Sequence, residues 1–65
     1  MSDDAALVLP LLRRHRDHLG SLIAIQRQLL AEGDAGPPWF SREAAIEEHL
    51  QEWALLNAAI ARRIA

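Results

Sequence analysis

The three histidines are the residues of this sequence best suited to chemistry. His15 and His18 flank Asp17 and lie three positions apart. On a helix such residues share one face, where two imidazoles could bind zinc or iron. His49, the third, follows Glu48. In an antiparallel hairpin position 49 faces about position 24, roughly 13 Å along the axis from His15, so one hairpin cannot unite the set. An alternative function is therefore a metal- or ligand-binding bundle that uses His15, His18, His49 and nearby carboxylates. Two copies of the hairpin would have to associate to bring these ligands together.

Catalytic chemistry has less support in the sequence. The chain has no cysteine, and no glycine-rich phosphate-binding loop is present. Its serines suit a terminus, a helix surface and a helix N-cap better than a nucleophile. Glu47 and Glu48 belong to an acidic face and do not form a convergent pair of carboxylates in a cleft, as acid–base catalysis would need. We expect a protein that is not an enzyme and that holds no cofactor and no metal.

The sequence has one short basic cluster, Arg13-Arg14-His15-Arg16. The formal net charge of −2 gives no general attraction for phosphates or anionic lipids. The cluster's side chains point in several directions around a helix, which predicts a solvated face. A nucleic-acid binder is the third hypothesis, and it would use the arginines that meet at the open end of the hairpin. These are Arg13, Arg14, Arg16, Arg62 and Arg63.

One segment of breaking residues divides the chain into two helices. Two glycines and two prolines lie between Gly33 and Pro38, so no helix or strand can continue through them. Ser41 then precedes good helix formers and is the expected N-cap. We predict helix one at about 4–32, a turn at 33–40 and helix two at about 42–64. Asp3 or Asp4 could cap helix one, in which case Pro10 predicts a kink or a new start near residue 10.

Both helices carry an apolar face, and the face of helix one spans about 160°, more than one partner helix covers. We therefore predict an all-α fold, an antiparallel αα-hairpin in one domain over residues 1–65, which assembles as a four-helix-bundle dimer or docks on a partner protein. The predicted core and interface residues are Leu12, Leu19, Leu22, Ile23, Leu29, Ile46, Leu50, Trp53 and Ile60.

Four polar residues interrupt these apolar faces. Facing positions of the hairpin should add to about 72 to 75, which sets His15 opposite Asn57 and Gln26 opposite His49 or Ile46. Matched polar layers fix register in bundles. Side chains that reach water at the edge of the seam are an equal alternative.

The segment before helix two holds two adjacent aromatic residues. Pro37 and Pro38 stiffen it and deliver Trp39 and Phe40 to the entrance of helix two. We favour a structural role, in which these rings plug the turn end of the core, over an exposed hot spot for a partner.

A chain of 65 residues buries too little surface to be stable without help, and self-association is the expected supplement. We predict a non-catalytic interaction module, such as an adaptor, a co-chaperone or a small inhibitor, that binds itself or a larger protein. Arginines concentrate at the open end and carboxylates at the turn, which favours an antiparallel two-fold dimer. We expect a cytoplasmic location without membrane contact. Basic residues that are all Arg favour a bacterial or phage accessory protein.

Overall fold

The structure is a computed structural model that describes residues 2–64, with side chains from residue 6 onward. It contains two helices, α1 (Ser2–Ala31) and α2 (Arg42–Ile64), packed against each other. Hydrogen bonds join His15 to Glu52 and Gln26 to Arg42. A higher residue number in α1 thus faces a lower one in α2, so the two helices run antiparallel. The fold is therefore the predicted all-α antiparallel hairpin.

Helix α1 runs through Pro10 without interruption. A new start at that position is not found, although proline lacks the N–H that would bond to the carbonyl of Ala6. The predicted caps Asp3 and Asp4 lie within α1, and their side chains lie outside the described part of the chain.

Gly33 ends α1 in a Schellman motif. Its backbone adopts a φ of 86°, a left-handed conformation that suits glycine. The N–H of Gly33 donates to the carbonyl of Leu30 over 3.0 Å, and the N–H of Asp34 donates to that of Leu29 over 2.9 Å. These two bonds satisfy carbonyls that the helix end would otherwise leave open. The glycine that begins the breaking segment therefore sets the end of α1.

Ser41 caps α2 as predicted. Its Oγ accepts a hydrogen bond from the N–H of Ala44 over 3.2 Å, and its carbonyl accepts the first helical bond from Ala45. Glu43 lies in the first turn, and Arg62 and Arg63 lie in the last turn. Acidic residues at the start and basic residues at the end of a helix both favour its dipole.

The hairpin is long and thin, with extents of 47, 18 and 14 Å. Its core is a single seam, in which Leu19 and Ile23 of α1 meet Ile46 and Ile60 of α2. Across the described residues, neither helix has the length and apolar character that crossing a bilayer demands.

Candidate interaction surface

The seam contains four of the predicted core residues in buried form, namely Leu19, Ile23, Ile46 and Ile60. The next set is half-buried at the margins of the seam, so the lone hairpin does not enclose it. This set is Leu12, Leu22, Leu29 and Leu50.

Trp53 departs from its predicted burial in the hairpin. Its side chain is 38% exposed and lies across Gly20, where an added Cβ would stand 3.6 Å from the indole Nε1. Positions 20 and 53 face each other, which matches the predicted register. The indole is wider than the seam of two helices, so part of the ring reaches solvent.

The sequence pattern predicts that His15 lies opposite Asn57, but in the structure His15 pairs with Glu52. Its Nε2 lies 3.0 Å from Oε1 of Glu52, and both side chains are about half exposed. Glu52 lies more than a helical turn from Asn57 along α2, and its long side chain reaches back to the imidazole. The pair therefore lies at the edge of the seam, in contact with water.

Gln26 also finds a partner other than the predicted His49 or Ile46. The Nη1 of Arg42 donates to its Oε1 over 2.8 Å. Arg42 is the first residue of α2, and its reach lets it replace the residue directly opposite. His49 and Asn57 are half-buried, and among the described residues no polar side chain is fully buried. The predicted polar core layers are thus edge contacts in the single hairpin.

Arg42 bonds to the turn in addition to its bond with Gln26. Its Nε donates to the carbonyl of Asp34 over 2.8 Å, and its Nη2 donates to Oδ1 of Asp34 over 3.2 Å. The same Oδ1 accepts the N–H of Gly36 over 3.0 Å, which forms an Asx turn. The Gly36 N–H and then the Arg42 guanidinium lower the pKa of the Asp34 carboxyl below its usual value.

The predicted plug by Trp39 is wrong. The Trp39 side chain is 85% exposed, because the N–H of Phe40 donates to the carbonyl of Pro37 over 3.0 Å and so places Pro38 and Trp39 at the tip of a β-turn. Phe40 turns the other way and is half-buried. A Cβ on Gly36 would lie only 2.9 Å from its Cδ2, and the Arg42 guanidinium lies 5.7 Å from its ring centroid.

An open groove of about 240 Å³ lies on the Gly20 side of the seam. Apolar side chains and Arg27 form its walls. Its lining comprises Gly20, Ile23, Ala24, Arg27, Leu50 and Trp53.

The histidines do not converge. Among the side chains that the structure describes, those of residues 6–64, no group of three His, Asp or Glu is arranged to hold a metal ion. The basic residues of the open end are partly engaged, since Arg16 forms an ion pair of 3.0 Å with Asp17 and Arg63 donates to the carbonyl of Ala59.

Several large apolar side chains lie outside the seam. Those that are more than half exposed are Leu7, Leu11, Ile25, Trp39, Leu55 and Ile64. Three of them, Leu7, Leu11 and Ile25, fall on one side of α1, where half-buried Leu22 and Leu29 join them. This side of α1 thus carries apolar side chains that the hairpin leaves uncovered, with His15 and His18 lying between Leu11 and Leu22. An exposed apolar surface bordered by polar groups marks an interface.

Sequence reasoning missed Glu52, Asp34 and Arg42 as contact residues. A signal existed only for Asp34, which stands two positions before Gly36 in the spacing of an Asx turn.

No protein-family model matches this chain, and comparisons with curated proteins and with solved structures give no significant match.

Proposed function

We propose that the protein is a small non-catalytic interaction module that acts by associating with a second copy of itself. The observation that carries this proposal is the imbalance between its core and its apolar surface. Among the described residues four hydrophobic side chains are buried, whereas six large ones are more than half exposed. Burial of a Leu or Ile side chain stabilises by about 1.5–3 kcal/mol. A second hairpin that covered the exposed ones would therefore supply much of the stability that a chain this short lacks.

The hairpin's dimensions support a dimer. Its broad face measures 47 by 18 Å, which leaves room for a contact of the size that stable interfaces need, roughly 800 Å² per partner. A larger protein that uses the hairpin as an adaptor, co-chaperone or inhibitor is the other form of the same proposal. The cytoplasmic location and the bacterial or phage origin expected from the sequence stay predictions.

The rival functions have weaker support. A metal-binding bundle would need ligands from two copies, because the described residues of one hairpin hold no group of three such ligands. A nucleic-acid binder would use the arginines of the open end, where Arg16 already pairs with Asp17.

Sedimentation equilibrium tests the proposal directly. We expect the purified chain, with chelator present, to show twice the 7.3 kDa of one chain at micromolar concentration. A monomer up to high micromolar concentration would contradict self-association. Assembly that requires added zinc would overturn the proposal in favour of the metal-binding alternative.

Trp53 fluorescence provides a second readout in a chain that carries Trp39→Phe. Since Trp53 is 38% exposed in the single hairpin, association on its side of the molecule would shift its emission to shorter wavelength. Association on the other side would leave the emission unchanged while the mass doubles. The two measurements together therefore report both the assembly and the face that it uses.

A further inference from the structure

Helix α1 carries two seams of coiled-coil spacing. Helix α2 packs along the inner one and reaches the outer one through the contact of Glu52 with His15. The inner seam advances in alternating steps of four and three residues and contains the two buried residues of α1. Such alternation averages 3.5 residues, the repeat with which one helix packs along another. Its members are Leu12, Arg16, Leu19, Ile23, Gln26 and Leu30.

The outer seam has the same alternating spacing, displaced by one residue and so by about 100° around the helix. Leu11 and Ile25 in it are 61% and 56% exposed, and both of its histidines are exposed. Its members are Leu11, His15, His18, Leu22, Ile25 and Leu29. Because α2 packs along the first seam, Leu11 and Ile25 of the second seam stay exposed in the lone hairpin.

We propose that the outer seam of α1 packs antiparallel against the outer seam of a second copy, in the register that sets His15 beside His18 of that copy. This inference rests on the proposed self-association and assigns it a surface and a register. A second copy presents the same outer seam, so the spacing of its residues matches the spacing of the seam that it packs against. Each copy then presents and covers the same residues, as a two-fold interface requires.

The histidines select the register. Antiparallel helices with this spacing can pair Leu11 with Leu22 and His15 with His18, or slide by a heptad and pair Leu11 with Leu29 and His15 with Ile25. The second register sets each imidazole against an apolar side chain. A polar group in an interface costs free energy unless it finds a polar partner. The first register pairs Leu11 with Leu22 and the imidazoles with each other, and it sets Ile25 opposite Val8 and Leu29 near the start of the other α1.

The distribution of charge favours the same orientation. Carboxylates crowd the turn end, including Glu43, Glu47 and Glu48, whereas arginines crowd the open end. Antiparallel packing sets each turn beside the open end of the other copy, and so brings opposite charges together.

Single cysteines test the register, because the natural chain has none. Mixed under oxidation, Leu11→Cys and Leu22→Cys proteins should form their mixed disulfide at least about tenfold faster than Leu11→Cys and Leu29→Cys proteins. The second pair would lie about two helical turns apart in the proposed register. Faster bridging of the second pair, or equal rates for both, would overturn the register.

A charge placed in the outer seam tests the surface. Ile25→Asp should weaken dimerisation at least about a hundredfold, since both copies carry the change, with helicity retained because Ile25 is exposed in the hairpin. Leu55→Asp is the matched control, because Leu55 is 71% exposed but lies on α2, outside the outer seam. It should leave the dissociation constant within about twofold.

These outcomes separate the two proposals. If the unaltered chain is monomeric, the proposed self-association fails and the inference fails with it. If the chain dimerises but Ile25→Asp does not weaken the dimer, or if Leu55→Asp weakens it equally, only the inference is wrong.

Discussion

Arg42 is the side chain that joins the most parts of the molecule. It bonds to Gln26 of α1, to the carbonyl and carboxylate of Asp34 in the loop, and lies beside the ring of Phe40. The planar guanidinium can satisfy several acceptors at fixed angles, which a lysine ammonium cannot do. A single residue at the start of α2 thus fixes the loop against both helices.

The Asp34 carboxylate gives this contact a dependence on pH. Its pKa is lowered in the folded chain by the Gly36 N–H and by Arg42. The stabilisation is therefore present above the unfolded pKa of about 3.9 and is lost as the pH falls through the lower folded pKa. Asp34→Asn keeps an oxygen for the Asx turn but removes the charge. We expect this substitution to lower the stability at neutral pH, and the difference from the unaltered chain to shrink below about pH 4.

Urea unfolding followed by circular dichroism between about pH 7 and pH 3 measures this effect. Asp17→Asn is the control for the loss of one negative charge, because Asp17 bonds only to the adjacent Arg16. A stability difference at position 34 that stays constant over the whole range would show that the charge of Asp34 has no role.

At the scale of the elements, α1 and α2 are specified by signals within a few residues of their ends. Gly33 and Ser41 make the hydrogen bonds expected of a C-cap and an N-cap, respectively, because capping depends on local backbone geometry. These features could be predicted from the sequence. The apolar periodicity likewise predicted the four buried residues of the seam.

The exposed Trp39 and the partner of His15 could not be predicted in the same way. The direction of Trp39 depends on the β-turn closed between Pro37 and Phe40, which neither aromatic residue specifies alone. The contact of His15 depends on the rotation of each helix and on the length of the Glu52 side chain. Both properties arise from the packing of two elements, which the sequence pattern of either element leaves open.

Gly20 gives a prediction at the element scale. It lies inside α1 with a regular helical backbone, and a Cβ there would meet the Trp53 indole at 3.6 Å, an ordinary contact distance. Gly20→Ala should therefore stabilise the hairpin by about 1 kcal/mol through its helix propensity. Thermal unfolding measures the change, and Gly36→Ala provides the contrast. A Cβ on Gly36 would lie 2.9 Å from Phe40 at a φ of 91°, so that variant should be destabilised. A lower melting temperature for Gly20→Ala would show that the indole cannot accommodate the methyl group.

At the scale of the whole molecule, the hairpin is electrically polar along its 47 Å length. The open end carries five arginines and three aspartates, Glu52 lies at mid-length beside His15, and the turn end carries five acidic residues and two arginines. Surface ion pairs contribute only about 0–1 kcal/mol each, whereas apolar burial supplies most of the affinity of an interface. Charge should therefore select the orientation of two associating copies, and the apolar seam should hold them together.

This division of roles predicts how a dimer responds to salt and where its turns lie. Between about 0.1 M and about 1 M salt the Debye length falls from roughly 10 Å to 3 Å, so exposed charges are increasingly screened. We expect dimerisation to weaken by no more than about tenfold over this range, because the apolar contacts persist. Spin labels on Ala35→Cys should report a separation on the order of 50 Å, since an antiparallel dimer sets its turns at opposite poles. Labels within about 20 Å of each other would mean that both turns lie at one pole. That arrangement brings two acidic ends together, so it would show that apolar contacts and not charge determine the orientation of the dimer.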